Sequence, residues 1–482
     1  MKIKKIELSD YQQFKPKLNI DLTYPKGHEK EGQPLEKVCI IGQSGTGKTT
    51  LLNIIKLLAV HDKIVGNGEI MPVPSDGALK AWLQIFDLEI LRFINEGKVA
   101  GKYLNDGYFK EKGLKSEEVR NKYLKKIEPY LIYYPAEVIK NFGRSNNRKL
   151  KLTFKDDKAD IVGSILDPLD QPKKKTKFEY VQEEAKFGNI INFGVQNASD
   201  IWSFIDKDIV SYREEEIKLR LKISELAQKP QVSPDEIIQA SEDFKKWQKQ
   251  KFNPIKDLAD NCLDKILNEF GLRVRTQLDF HSKEDIEFIK IETLEGKEVP
   301  LAFLSTGSKQ LVLTALPLYV LEPRNTIILF DEPERSLYPD IQTKLIPFYT
   351  AMAVNSQFFF ATHSPILAAS FEPWEIVELK FDEKDHLVYR EDYFKGERHV
   401  DNYFIDPRFL RWDSILQKIF DLPEEGNSDE RTPKLMELAT LKSKIQKLKS
   451  KKNSNDQEKI NELWEQYKKL ANLLDWKIEG VG

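Results

Sequence analysis

Three observations predict an α/β fold built on a largely parallel sheet. The apolar run 38-VCII-41 enters the glycine-rich turn 42-GQSGTGKT-49, and a helix-forming stretch with an apolar face follows directly. Segments of strand and helix pattern alternate again between residues 308 and 364. Within that stretch 326-TIILF-330 delivers two acids, Asp331 and Glu332, at a strand's C-terminal end, where parallel sheets collect their ligands.

From the N-terminus, Ile3 and Ile6, then Leu18, Ile20 and Leu22, alternate with polar neighbours, so residues 2–25 read as strands of an edge or meander sheet. A buried strand over 35–43 and a helix over 48–59 complete the strand, loop, helix order of a phosphate-binding loop. From 60 to 285 this regularity lapses into a turn-rich stretch (64–77), helical stretches and the basic run 172-PKKKTK-177, which together read as an insertion. Inside it Ile205, Ile209, Tyr212, Leu219, Ile223 and Leu226 keep a seven-residue register that Glu216 alone breaks. The turn 229–236 and a second helix with Phe244 and Trp247 complete a helical hairpin at about residues 200–270. Its first arm would run about 33 Å at about 1.5 Å per residue. The pattern fits a projecting lever and a pair folded flat on the domain equally well.

Regular signals return over 286–303 as two strands around the turn Glu295, Gly296, then a helix (308–321), a strand (326–330), a helix (339–353) and a strand (357–364). Beyond 431, Leu438, Leu441, Ile445 and Leu448, then Ile460, Leu463, Tyr467, Leu470 and Leu474, recur at helical spacing on either side of the polar 450–456. That is the pattern of an αα-hairpin. Four segments are expected: a first lobe of a nucleotide-binding head over 1–60, an insertion over 61–285, a second lobe over 286–395, and a helical region over 396–482.

With 482 residues, 40% of them hydrophobic, the chain can bury a proper core. Its 75 Lys+Arg nearly balance 77 Asp+Glu, and the net charge of −2 argues against nucleic-acid binding by bulk charge while leaving room for a basic patch. Two cysteines, Cys39 and Cys262, form no disulfide framework and fit a reducing cytosol. The N-terminus has no apolar leader, and apolar stretches such as 311–321 fall short of the roughly 20 residues that span a bilayer. A cytoplasmic protein without a membrane partner is expected.

In 42–49 the glycines let backbone N–H groups point at phosphate oxygens, Lys48 neutralises β- and γ-phosphate charge, and the Thr49 hydroxyl can ligate Mg²⁺. Asp331 and Glu332 at a strand end are costly to bury without a cation, so the pair divides the work: Asp331 toward the metal, Glu332 toward the attacking water. Ser305 and Gly307 open a helix, a second place where N–H groups can meet an anion. His363 lies at the end of the strand segment 357-QFFFATHS-364 and precedes Pro365, within reach of a γ-phosphate.

Taken in order, 42-GQSGTGKT-49, 304-LSTGSKQ-310, 327-IILFDE-332, 333-PERSLYP-339 and 361-ATHS-364 resemble the Walker A, signature, Walker B, D-loop and switch-histidine motifs of an ABC-type ATPase head. The resemblance implies a P-loop NTPase fold whose ATP is held by Gly42, Gln43, Ser44, Gly45, Thr46, Gly47, Lys48, Thr49 and Thr50 of one copy and by Ser305 and Gly307 of another. It further implies Mg²⁺ on Thr49 and Asp331, catalysis by Glu332 with His363 and Lys48, and a homodimer of heads or a higher homo-oligomer. For the family's glutamine loop the resemblance offers Gln84, with 133-YYPAE-137 as a nearby landmark.

About 250 positions separate Thr49 from Ser305, more than a transport ATPase needs, so a transporter subunit ranks behind the group of SMC, Rad50, RecF and overcoming-lysogenization-defect heads. The hairpin is too short for a chromosome-scale arm. The tail lacks an acidic strand-end cluster and, beyond 400, any histidine, so a nuclease within this chain is not expected. The segment 412-WDSILQKIFDLPEE-425 with its helical tail resembles stand-alone ATPase subunits of bacterial anti-phage systems such as Septu, PARIS and retron-associated ATPases. This implies a separate effector, a nuclease in the first instance, and a phage-derived trigger. DNA is the partner in the alternative reading of a repair or clamping ATPase, with 172–177 and the lysines of 442–452 as backbone contacts.

Overall fold

The computed structural model describes residues 1–59, 77–85, 88–95, 98–103, 129, 131–136, 190–193, 199–229, 233–277, 290–300, 303–420, 422, 430–450, 457–474 and 476. The basic run 172–177, most of the turn-rich stretch 64–77, and Lys451 and Lys452 lie outside them.

Strands β1 (Lys2–Ser9) and β2 (Lys17–Asp21) pair antiparallel, then the chain enters β3 (Lys37–Gly42), whose residues from Val38 onward are all buried. Helix α1 (Lys48–Ala59) buries one face made by Leu51, Leu52, Ile54, Ile55, Leu58 and Ala59. Strands β4 (Ala78–Ile85), β5 (Leu88–Asn95) and β6 (Lys98–Tyr103) extend the first pair into a five-stranded antiparallel sheet ordered β2-β1-β4-β5-β6. Sequence periodicity had left this region as part of an insertion. Lys80, Trp82 and Gln84 alternate with buried Leu79, Ala81, Leu83 and Ile85, and pairing with β1 sorts the two faces.

Strands β7 (Leu131–Tyr134) and β8 (Ile190–Asn192) also fall inside 61–285 and supply one edge of the main sheet. At four and three residues they are too short for a periodicity signal. Next comes the helical hairpin, α2 (Ser199–Gln228) and α3 (Pro234–Gln250). Tyr212 stacks on Trp247 at 5.0 Å, Arg220 lies over Phe244 at 4.9 Å, and Lys251 pairs with Glu215 at 2.6 Å. Burial along α2 stops at Glu216 and no residue of α3 is buried, so the distal hairpin projects instead of lying flat. Glu216, the one break in the apolar register, is only 8% exposed and accepts two hydrogen bonds from Arg220, which keeps the buried charge paired.

After α3 the short helix α4 (Pro254–Leu258) passes through a π-helical turn (Ala259–Leu263) into α5 (Asp264–Leu267). A three-stranded antiparallel sheet follows, of β9 (Leu272–Val274), β10 (Ile291–Thr293) and β11 (Glu298–Val299), and Gly296 at φ +86° makes the expected turn between the last two. Helix α6 (Thr306–Leu321) is apolar on all sides and buried accordingly. Strand β12 (Ile327–Asp331), helix α7 (Pro339–Thr350), strand β13 (Gln357–Ala361), the single turn α8 (Pro365–Ala368), and strands β14 (Ile376–Phe381) and β15 (Val388–Glu391) complete the head.

The main sheet runs β15-β14-β3-β13-β12-β7-β8, parallel throughout except for β15. It is a mixed sheet with flanking helices. Ile327, Leu329 and Phe359 pack with α1 and the antiparallel sheet in one core. On the opposite face Phe330 stacks against Tyr134 at 4.7 Å, Tyr349 at 4.4 Å and Phe360 at 5.2 Å, and Thr314 of α6 meets the Tyr349 hydroxyl at 2.6 Å. Because every central strand is covered on both faces, it reads as a continuous apolar run.

Residues 411–482 form a second compact unit, with α9 (Trp412–Lys418), α10 (Arg431–Ser450) and α11 (Gln457–Leu473). Leu438, Leu441, Ile445, Tyr467, Leu470, Ala471 and Leu474 make its own core, the expected antiparallel helix pair.

Candidate nucleotide-binding site

The main sheet places the ends of β3, β12 and β13 side by side, so the loops that follow them share one edge. Gly42 ends β3 at φ +150°, and a methyl group there would lie 2.3 Å from the Leu379 carbonyl oxygen and 2.7 Å from Thr46 Oγ1. Gly47 adopts φ +89°, where an L side chain is strained, and a Cβ there would also displace the Gln13 side chain, whose Nε2 would lie 2.5 Å away. Thr46 is fully buried and its hydroxyl donates to the Gln43 carbonyl at 2.9 Å, which closes the loop and leaves Gln43, Ser44 and Gly45 exposed at its tip. Lys48 is 6% exposed and its ammonium donates to the carbonyls of Gly42 (3.0 Å) and Gln43 (3.1 Å). Burial pushes its pKa down, against the pull of Glu332, Asp331 and Glu334.

Asp331 ends β12, 8% exposed, and accepts the Thr49 hydroxyl at 2.9 Å. Burial, followed by the Glu332 charge, raises its pKa, while Thr49, Lys48 and Tyr133 oppose the rise. Tyr133, near the end of β7, belongs to the landmark 133-YYPAE-137 but has no role in the sequence reading: its hydroxyl lies 3.5 Å from Asp331 and its ring under Lys56 at 4.0 Å. Its sequence signal is its place near the end of a short apolar strand. Gln84, the candidate for the glutamine loop, pairs with Lys2, next to Met1, whose amine bonds the carbonyl of Asn325 just before β12 begins. That is the opposite end of the sheet from Asp331, because the strand register, not the residue type, decides which end a side chain serves.

Glu332 adopts φ +48°, a left-handed conformation that a non-glycine residue holds only when its surroundings enforce it. Here its N–H donates to the Ala361 carbonyl at 2.8 Å and ties the end of β12 to that of β13. The His363 imidazole stands 3.8 Å from Glu332. Burial first, then the Lys48 charge, lowers its pKa, which favours the neutral ring. Lys48, Thr49, Asp331, Glu332 and His363 are thus brought together within one chain.

Ser305 and Gly307 are not joined to them: no hydrogen bond or ion pair among the described residues links either to the phosphate loop. Ser305 caps α6, accepting from Ser308 N at 3.1 Å, and Gly307 lies so close to Ser336 that a Cβ would sit 2.4 Å from its carbonyl oxygen.

The donor set fits a triphosphate with Mg²⁺. Loop glycines whose Cβ would collide with neighbours leave the backbone bare for phosphate oxygens, and Thr49 and Asp331 present two hard oxygen ligands 2.9 Å apart.

A family profile described as "AAA domain, putative AbiEii toxin, Type IV TA system" matches residues 37–369. No protein of curated function matches the sequence. Among solved structures, the chain is similar to an SMC head bound to the C-terminal winged-helix domain of ScpA (TM-score 0.38, 12% identity, covering 81% of this chain and 97% of that one). It is similar also to the SMC head domain from Thermotoga maritima (TM-score 0.37, 11% identity, 81% and 99% covered). A third is the Smc head with an extended coiled coil bound to the C-terminal domain of ScpA, derived from Pyrococcus furiosus (TM-score 0.37, 12% identity, 81% and 96% covered).

Proposed function

We propose, from the premise that this chain belongs to the AAA-domain family matched over residues 37–369, that it is an ATP-hydrolysing subunit of an anti-phage defence complex that restrains a separate effector. The observation that carries the enzymatic part is the single-edge assembly of Lys48, Thr49, Asp331, Glu332 and His363. The phosphate loop binds the triphosphate, and Lys48 leaves its loop carbonyls for the β- and γ-phosphate oxygens. Thr49 and Asp331 would hold Mg²⁺, which would supply positive charge to neutralise that of the phosphates. Glu332 accepts a proton from water as the water oxygen bonds to the γ-phosphorus and the bond to the bridging oxygen breaks, giving ADP and phosphate. His363 donates a hydrogen bond toward the γ-phosphoryl group.

Ser305 and Gly307, which among the described residues make no hydrogen bond to their own phosphate loop, serve a second copy, so that two heads close over two nucleotides. Closure then brings together the projecting α2–α3 hairpins of the two copies; the hairpin or the tail is the surface on which an effector is held. A defence role is supported by the family description, which names a toxin of a Type IV TA system.

The test combines nucleotide binding, turnover and light scattering. Lys48→Ala is expected to abolish ATP binding. Glu332→Gln should bind ATP, hydrolyse it at least about a hundredfold more slowly, and accumulate as an ATP-dependent dimer. Undiminished turnover in Glu332→Gln, or a chain that stays monomeric with bound ATP, would refute the mechanism. Purification of the native complex without any effector protein would refute the scaffold role alone.

A further inference from the structure

One buried carboxylate beside this site has no part in the steps above. Glu334 is 9% exposed and lies in the loop after β12, two residues beyond Glu332. Its Oε1 accepts the Thr362 hydroxyl at 2.5 Å and the N–H of His363 at 3.2 Å. Thr362 Oγ1 in turn accepts the N–H of Ser364 at 2.9 Å, and the Ser364 hydroxyl donates to Gln342 at 2.6 Å. The Thr362 N–H is fixed on the Ile40 carbonyl of β3 at 3.0 Å. Each backbone N–H from 362 to 364 is therefore committed, and two of these commitments run through Glu334 or through the hydroxyl it anchors.

The other carboxylate oxygen, Oε2, is buried and has no hydrogen-bond partner. A buried acid with one oxygen idle is expensive to keep. A threonine or asparagine would cap the same loop at lower cost if chain folding were all that was required. The main chain of Glu334 serves the other side of the loop: its carbonyl accepts Leu337 N at 3.0 Å and shapes the turn whose Ser336 oxygen abuts Gly307. Glu334 thus stands between the surface that carries Gly307 and the strand end that carries His363.

We propose that Glu334 is a positioning residue for hydrolysis, which holds the Thr362–His363 backbone so that the imidazole stays beside Glu332. This rests on the hydrolytic reading given above. Loss of the carboxylate frees two donors and lets the His363 main chain drift, and a displacement of about 1 Å at a reacting group can cost about a hundredfold in rate. Nucleotide binding changes little, because among the described residues the phosphate loop makes no hydrogen bond to Glu334 and feels its charge only at Lys48, where Glu332 and Asp331 act more strongly.

The experiment is steady-state ATP hydrolysis by the full chain. Glu334→Ala should lower kcat about 10- to 100-fold with KM for ATP within about twofold of the parent. Glu334→Gln, whose amide oxygen still accepts both bonds, should recover most of that loss. Thr362→Val, near-isosteric and without the hydroxyl, should lower kcat in the same direction and gives the answer if Glu334→Ala does not fold. Parental kcat in a folded Glu334→Ala or in Thr362→Val overturns the proposal, as does a loss confined to KM or a glutamine variant no better than alanine. A parent chain that binds ATP without turning it over refutes the hydrolytic reading itself, whereas active parent and active variants refute only the role of Glu334.

Discussion

Gly42 shows how a single position can carry both fold and chemistry. Its φ of +150° and the Leu379 oxygen 2.3 Å from where a Cβ would sit leave no low-strain route for any side chain. Gly42→Ala should cost more than about 2 kcal/mol in urea unfolding and weaken ATP binding, because the loop must shift to relieve the overlap. Gly396→Ala is the control: at φ +77° with nothing within 4 Å, it should cost only about 1 kcal/mol and leave ATP binding alone. A Gly42→Ala chain as stable and as tightly binding as the parent would show that the loop is more plastic than this geometry. The glycines, Lys48 and the acid pair were legible in the sequence because each motif is contiguous, so spacing along the chain equals spacing in space. Glu334 and Tyr133 were not. An acid after proline reads as solvated, and only the packing of two strand ends reveals that it is buried.

Among the elements, the 3₁₀ turn Pro373–Glu375 that leads into β14 carries a charge under stress. The Glu375 carboxyl is 3% exposed, caps the turn by accepting Glu372 N at 2.8 Å, and pairs with Lys37 at 2.9 Å. Burial nevertheless raises its pKa from 4.5 to about 7, an effect the nearby Lys37 only partly offsets. A folded-state pKa above the unfolded value means that the fold favours the protonated acid. Its contribution is complete below 4.5 and is lost as pH rises through about 7. Urea unfolding of the parent and of Glu375→Gln at pH 5 and pH 8 should therefore differ in slope. The variant should gain on the parent toward high pH by up to about 3 kcal/mol. An equal pH dependence in both would mean that Glu375 ionises freely. Elements with long periodic patterns, such as α10, α11 and the α2–α3 hairpin, were readable because each exposes one face over many turns. Strands β4–β8 were not, since short runs acquire their faces only from their neighbours.

As a whole the molecule divides into a head of residues 1–410 and a helical unit of 411–482, each with its own core. A helix pair of this size is marginal by itself, so its stability should respond sharply to one core deletion. Ile445, 1% exposed, packs among Leu438, Leu441 and Tyr467, and Ile445→Ala should lower the melting of the tail by the equivalent of about 2–4 kcal/mol. ATP affinity of the head should not change. A parallel fall in ATP affinity would show that tail and head unfold as one cooperative body. The described helices include none long and apolar enough to cross a membrane.

By itself the sequence determined the phosphate-loop motif, the α/β class and the two helical hairpins, because these depend on local spacing: a loop eight residues long, a strand that ends in acids, an apolar stripe at helical period. Tertiary structure alone decided which strands flank which, that Tyr133 and not Gln84 stands beside Asp331, and that Glu334 is turned inward onto the His363 loop. Those outcomes follow from strand register and burial. Both are properties of chain segments 29 to 198 residues apart, and no short window of sequence contains them.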